Sequence, residues 1–210
     1  MFGKYLKYRL TAHYWHGHHI HSPYTYWIMT NVVYERWPYY SFEKIEGLRK
    51  KTPNNEKGKL EAKYCQLIQR LCATNNAKTI VQIGCDDGWE TMYLAANDLK
   101  TTISVEGKIE RRPRERMQLL GYCNICEEYD TKENVDMLVC IDGKIKNAFE
   151  RYVNNMREGG IMIFSKIHER EDEWNEIIKD SRIKVSMDLY KVGICFFRGE
   201  MQKENYVVKF

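Results

Sequence analysis

The sequence predicts an α/β fold: a mostly parallel, seven-stranded sheet wound by helices and closed by an antiparallel hairpin, behind an N-terminal helical cap. Three observations predict it. From residue 78 onward, apolar β-branched runs alternate with stretches of helical periodicity, the pattern of βαβ units and a parallel sheet. The alternation then stops. Two β-rich runs, 183–190 and 192–197, follow each other with no room for a helix, so they must pair antiparallel. Residues 1–52 have a different chemistry: eight of the fifteen tyrosines, three of the five tryptophans and five of the six histidines lie before residue 43.

In chain order, Ser22-Pro23 predicts a helix start, with Ser as N-cap and Pro in the first turn, and Tyr24, Trp27, Ile28 and Val32 on one face. Ser41 is expected to cap a second helix that turns Phe42, Ile45 and Leu48 inward. Residues 51–58 are polar and turn-like, the best linker in the chain, and divide it into a cap (1–58) and an α/β domain (59–210). A helix over 60–74 aligns Leu60, Tyr64, Leu67, Ile68 and Leu71. Strands are expected at 79–84, 101–106, 124–129, 136–142 and 160–166, with 205–210 as a further β-rich run. Helices are expected near 88–98, 108–120, 145–157 and 171–180. The 145–157 helix turns Ile145, Phe149, Tyr152, Val153 and Met156 inward, and the last helix Trp174, Ile177 and Ile178.

Composition limits the class. The chain has 210 residues, 43% hydrophobic and 30% charged, which suits a soluble globular protein with a core. A net charge of +4 does not by itself imply nucleic acid. No apolar run reaches membrane-spanning length, and the first residues lack a signal-peptide apolar region. Seven cysteines, an odd number, mostly in apolar surroundings, fit reduced thiols and a cytoplasmic location. Cys123-x-x-Cys126 has no second pair at zinc spacing, so no metal is expected there. Arg111, Arg112, Arg114 and Arg116 alternate with Glu110 and Glu115 and read as a solvated helix face.

The chemistry concentrates between residues 79 and 106. The run Thr79-Ile80-Val81-Gln82-Ile83 stops at Gly84, and the turn Cys85-Asp86-Asp87-Gly88 leads into a helical pattern of Trp89, Met92, Tyr93 and Ala96. A second strand ends in Glu106, about 20 residues on, as in nucleotide-binding βαβ units. The glycines let backbone approach a ligand, the helix start offers N–H groups, and the acid can accept both hydroxyls of a ribose. The glycine spacing is not the G-x-G-x-x-G of nicotinamide-binding domains. A plain αβ turn without a ligand has the same outline.

These residues resemble motif I of class I S-adenosylmethionine (SAM) methyltransferases. Almost the whole chain is similar to a group of small bacterial members related to the catechol O-methyltransferase-like enzymes. The matching segments come in one order: His18-His19-Ile20-His21-Ser22-Pro23-Tyr24, Tyr40 to Arg49, Gln82 to Ala95, Val105-Glu106-Gly107, Cys140-Ile141-Asp142-Gly143, Ile167-His168, and Met187 to Phe197. The resemblance implies the Rossmann-like class I methyltransferase fold and SAM as cofactor. Gly84, Cys85, Asp86 and Gly88 would form its cradle. Glu106 would hold the ribose, Asp130 the adenine amino group, and Asp142 would face the opening to cofactor and substrate.

The departures from the group fall on chemical positions. Gln82 stands where the group has an acid on the first strand, Asp86 sits mid-turn, and Ser165-Lys166 replaces a pair of acids that hold a cation in metal-dependent relatives. The implied activity is methyl transfer to a small-molecule nucleophile, an oxygen by preference, without a metal. The alternative is a catalytically inactive module that keeps the fold for binding. His168 is the first base candidate, because it follows the fifth strand on the ligand-binding edge. His18 and His21 match the group's motif and are the next, as part of a lid. The cluster they form with His13, His16 and His19 lacks metal-ligand spacing and reads otherwise as structural. Asp142 reads equally as a helix N-cap. Nucleic acid is disfavoured as a partner, and a homodimer is carried as an expectation.

Overall fold

A computed structural model describes residues 2–37, 39–56, 60–127 and 134–210. Its strands are β1 (Thr79–Ile83), β2 (Thr102–Glu106), β3 (Ile125–Cys126), β4 (Val135–Cys140), β5 (Met156–Ser165), β6 (Val185–Asp188), β7 (Val192–Phe196) and β8 (Glu204–Val207). Its helices are α1 (Phe2–Thr11), α2 (Pro23–Ile28), α3 (Tyr40–Lys51), α4 (Ala62–Thr74), α5 (Trp89–Ala95), α6 (Arg111–Leu119), α7 (Ile145–Tyr152) and α8 (Glu171–Ile177).

One sheet holds the strands in the order β3-β2-β1-β4-β5-β7-β6-β8. The first five run parallel. β7 enters antiparallel between β5 and β6, so the expected hairpin forms the end of the sheet. The β-rich run after residue 204 becomes an eighth strand, parallel to β6 at the edge. Every residue of β4 is buried, as a parallel strand covered on both faces requires. Period-2 alternation divides the side chains between two layers. Ile80, Ile103, Val105, Met137 and Val139 face α4, α5 and the N-terminal helices. Val81, Leu138, Cys140, Met162 and Phe164 face α7 and α8. Ile20, Ile28, Val32, Phe42 and Ile45 of the N-terminal region belong to the same buried cluster as Leu67, Ile68 and Ile80.

Several elements differ from the sequence reading. α1 is not announced by periodicity, because among its described side chains only Tyr8 is buried. Aromatic contacts of Tyr5 and Tyr8 with Tyr190, and the Tyr8 hydroxyl donating to the Val208 carbonyl, hold it in place. Ser22 does cap α2, its Oγ accepting from the Thr25 N–H at 3.3 Å. Trp27, however, points outward and is 48% exposed. The helix continues as a π-turn over Met29–Val33, and Thr25, Ile28, Met29, Val32 and Val33 form the stripe that reaches the core. Arg70 of α4 closes this turn, donating from Nε to the Val32 carbonyl at 2.8 Å. Ser41 is not a cap. α3 begins at Tyr40, two residues earlier than a Ser41 cap would start it, and Tyr39 at its cap position makes no side-chain cap. Met156 lies on β5 and not on α7, which ends at Tyr152. Part of the expected strand 124–129, and Asp130, lie outside the described residues, as does the end of the expected linker.

The close packing of β7 is testable. A Cβ on Gly193 would lie 2.6 Å from the Trp174 ring of α8. Gly193→Ala is expected to destabilise the fold by about 1–3 kcal/mol, read as a lower denaturation midpoint at unchanged m-value. An unchanged midpoint would show that α8 is free to move off the sheet.

Candidate functional site

The parallel strands end level with one another: Ile83 of β1 pairs with Glu106 of β2 and with Cys140 of β4. This carboxyl edge is where the neighbours of β1 depart on opposite sides, the position at which open α/β sheets receive ligands. Gly84 leaves β1 with φ +76, and its N–H donates to the Glu106 carbonyl at 3.0 Å. A Cβ on Gly84 would lie 2.9 Å from Asp142 Cβ, so only glycine lets the β4 loop approach. Gly88 has φ +78 and caps α5, and a Cβ there would meet Pro113 of α6 at 2.7 Å. Asp86, between them, is exposed with φ +43. Cys85 is buried, and burial pushes its thiol up to about 11. Gln82 is buried behind the turn. Its Nε2 donates to the Gly84 carbonyl and to Thr91 Oγ1, both at 2.8 Å, while its Oε1 has no hydrogen-bond partner.

The structure therefore brings Gly84, Glu106 and Asp142 together. Glu106 is only 13% exposed, and α7 reaches it from the far face of the sheet. The Tyr152 hydroxyl donates to Oε1, and Arg151 Nη1 lies 3.1 Å from Oε2. A carboxylate has about four lone-pair sites, so acceptor capacity remains after these two donors. Asp142 is not a helix N-cap: Lys144 holds that position for α7, without a side-chain cap. The exposed Asp142 carboxylate instead meets Lys166 Nζ at 3.4 Å. Ser165, where the related group has an acid, donates from Oγ to the Ile141 carbonyl at 2.6 Å and so ties β5 to β4.

Beside this edge lies a cavity of about 230 Å³, lined among others by Asp86, Glu90, Ser165, Lys166, His168 and Lys191. The His168 ring stacks on Tyr190 at 4.5 Å, and its Nδ1 is buried without a partner. Burial, chiefly, holds its imidazole below the ordinary histidine value and keeps it neutral near pH 7. Glu90 is the residue that sequence reasoning missed. It follows Gly88 by two positions in a stretch read as helix, yet it is 3% exposed. Burial pushes its carboxyl up to about 7; its own backbone N–H and the more distant Arg49 and Lys166 oppose the rise, and Asp86 adds to it. His18 and His21 are exposed, in and just after a turn at residues 16–19, and do not line this cavity. Among the described residues, no group of three His, Cys, Asp or Glu side chains is placed to hold a metal ion.

Glu90 has a measurable consequence. Below pH 4.5 its carboxyl is protonated in both folded and unfolded chains. As pH rises from 4.5 through 7, the unfolded chain ionises first and folding is progressively disfavoured. Glu90→Gln is therefore expected to gain about 2–3 kcal/mol of stability over the parent between pH 5 and pH 8, measured by denaturant unfolding at each pH. A constant difference would mean that Glu90 is not held in a desolvated site.

No protein-family model matches the chain, and no curated protein does. Solved structures do match. An O-methyltransferase from Bacillus cereus in complex with S-adenosylhomocysteine (SAH) superposes with a TM-score of 0.57 at 13% identity, over 80% of this chain and 95% of that one. The O-methyltransferase TomG from Streptomyces achromogenes, in complex with SAM, gives 0.58 at 12% identity over 80% and 94%. An SAH-bound methyltransferase from Podospora anserina gives 0.60 at 13% identity over 77% and 89%. At such identities the likeness is one of fold. The chain has the fold of the class I SAM-dependent methyltransferases of the catechol O-methyltransferase-like type.

Proposed function

We propose that the chain is a SAM-dependent methyltransferase acting on a small-molecule nucleophile, an oxygen by preference, without a metal. One observation carries this reading: the Gly84–Gly88 turn, Glu106 and Asp142 meet on the carboxyl edge of the sheet, beside a cavity that holds His168. The SAM and SAH complexes of structures with the same fold support it. The residues fit the cofactor. Gly107 and Gly143, next to Glu106 and Asp142, have positive φ and open space where a Cβ would stand. The buried Gln82 Oε1 is an acceptor in want of a donor, and the ammonium of SAM is one.

SAM brings a methyl group already activated by its sulfonium, so the protein's task is mainly alignment. In this reading the backbone of Gly84, Cys85, Asp86 and Gly88 forms the cradle. Glu106 accepts the ribose hydroxyls on lone pairs that Tyr152 and Arg151 leave open, and these two donors fix the carboxylate's orientation. Asp130 is assigned to the adenine, and Asp142 to the opening toward the substrate. His168 takes the proton of the nucleophile. It lines the cavity and is neutral, so it ranks ahead of His18 and His21. The Lys166 ammonium beside Asp142 supplies the positive charge that a divalent cation would bring, which supports a metal-independent route. The seven free thiols support a reducing, cytoplasmic setting, and no described helix is long and apolar enough to cross a membrane.

Calorimetric titration with SAM and SAH is expected to show micromolar binding, weakened at least tenfold by Glu106→Ala. Absence of binding at millimolar ligand would favour the inactive-module reading instead. With an acceptor in hand, turnover is expected to ignore magnesium and chelator, and His168→Ala to lower kcat by about 100- to 10,000-fold. The parent's rate should fall with acid through a midpoint below 6.5, as the imidazole is protonated. A rate that depends on magnesium, or that survives the substitution, would remove His168 from the mechanism.

A further inference from the structure

We infer that Glu90 is the chain's own counter-charge for a ligand ammonium, so that the amino-acid end of the cofactor is selected by a carboxylate on α5. This rests on the SAM reading above and adds to it the residue that discriminates for the amine. Glu90 is almost fully buried and yet forms part of the cavity wall. Its carboxyl accepts from its own backbone N–H, and no ion pair to it occurs among the described residues. The two cations that act on it electrostatically are committed elsewhere. Arg49 donates to the Leu60 carbonyl at 2.7 Å and lies over the Trp89 ring, and Lys166 faces Asp142. Burying a carboxyl without a counter-charge is unfavourable, so a cation from outside the chain is the missing partner.

A second orphan in the same turn points the same way. Both hydrogens of the Gln82 amide are spent on the Gly84 carbonyl and Thr91 Oγ1. The Gly84 carbonyl can only accept, which fixes the amide's orientation and leaves Oε1 as a buried, unpartnered acceptor. Thr91 adjoins Glu90. The cavity wall thus presents a carboxyl lacking a cation, with an acceptor lacking a donor buried behind it and the Asp86 carboxylate raising the negative charge. A primary ammonium carries three N–H donors and no acceptor, the complement of that surface. A metal ion would need more ligands than Glu90 and Gln82 supply.

The test is calorimetry of the full chain and Glu90→Gln with two ligands: SAH, which has the amine, and 5′-methylthioadenosine, which keeps the nucleoside and thioether but lacks the amino-acid end. Glu90→Gln is expected to weaken SAH binding at least tenfold and to leave 5′-methylthioadenosine within twofold, while Glu90→Asp restores part of the SAH affinity. Unchanged or tighter SAH binding in Glu90→Gln overturns the inference and leaves the SAM reading standing. Equal weakening of both ligands also overturns it, because Glu90 would then act only on the shape of the turn. If the parent chain binds neither ligand, the SAM reading falls and this inference with it.

Discussion

The structure depends on β1 and β4 being buried on both faces. A parallel strand in that position has its backbone paired on either side and its side chains covered above and below, so a ligand can reach it only at its ends. Crossover connections of fixed hand carry the chain away from β1 on opposite faces and leave a crevice there. Gly84 sits at that point. Its missing side chain lets the loop after β4 close against the end of β1, and the positions of Glu106 and Asp142 follow from the same register.

Three carboxylates near this edge show how partners decide the behaviour of one chemical group. Glu106 is gripped by a phenol and a guanidinium from α7. Asp142 is exposed and leans on a lysine. Glu90 is buried and, among the described residues, is ion-paired with no side chain. The first is suited to orienting hydroxyls and the second to sitting at an entrance. The third stores unfavourable free energy that a cationic ligand relieves.

Most of the sheet was legible because a short run of β-branched apolar residues is a local signal. The runs at 79–83, 102–106 and 192–196 are rich in Ile, Val and Phe, and their boundaries agree with expectation to within one residue. Gly84, Glu106 and Asp142 were legible for the same reason, since their places follow from strand ends. What was hidden depended on three-dimensional neighbours or on a break in period. The π-turn after Ile28 breaks the α-helical pattern, and Trp27 lies off the buried stripe of Thr25, Ile28, Met29, Val32 and Val33. Tyr152 reads as an ordinary core residue, and nothing in the spacing shows that its hydroxyl reaches an acid 46 positions earlier. Glu90 looks like one more polar residue at a helix start until the loops around it are folded over it. The histidines of the 13–21 segment carry no local signal of their distance from the cavity.

The seat of α1 is built from the other end of the chain. Tyr14 bridges to Val208, the Tyr8 hydroxyl donates to the Val208 carbonyl, and the Tyr34 hydroxyl donates to that of Lys209. During synthesis these three contacts cannot form until residues 208 and 209 have left the ribosome. Contacts separated by 200 positions also raise the contact order and slow the closing step. α1 is therefore made well before its seat is complete, and in that interval it is open to chaperones and proteases.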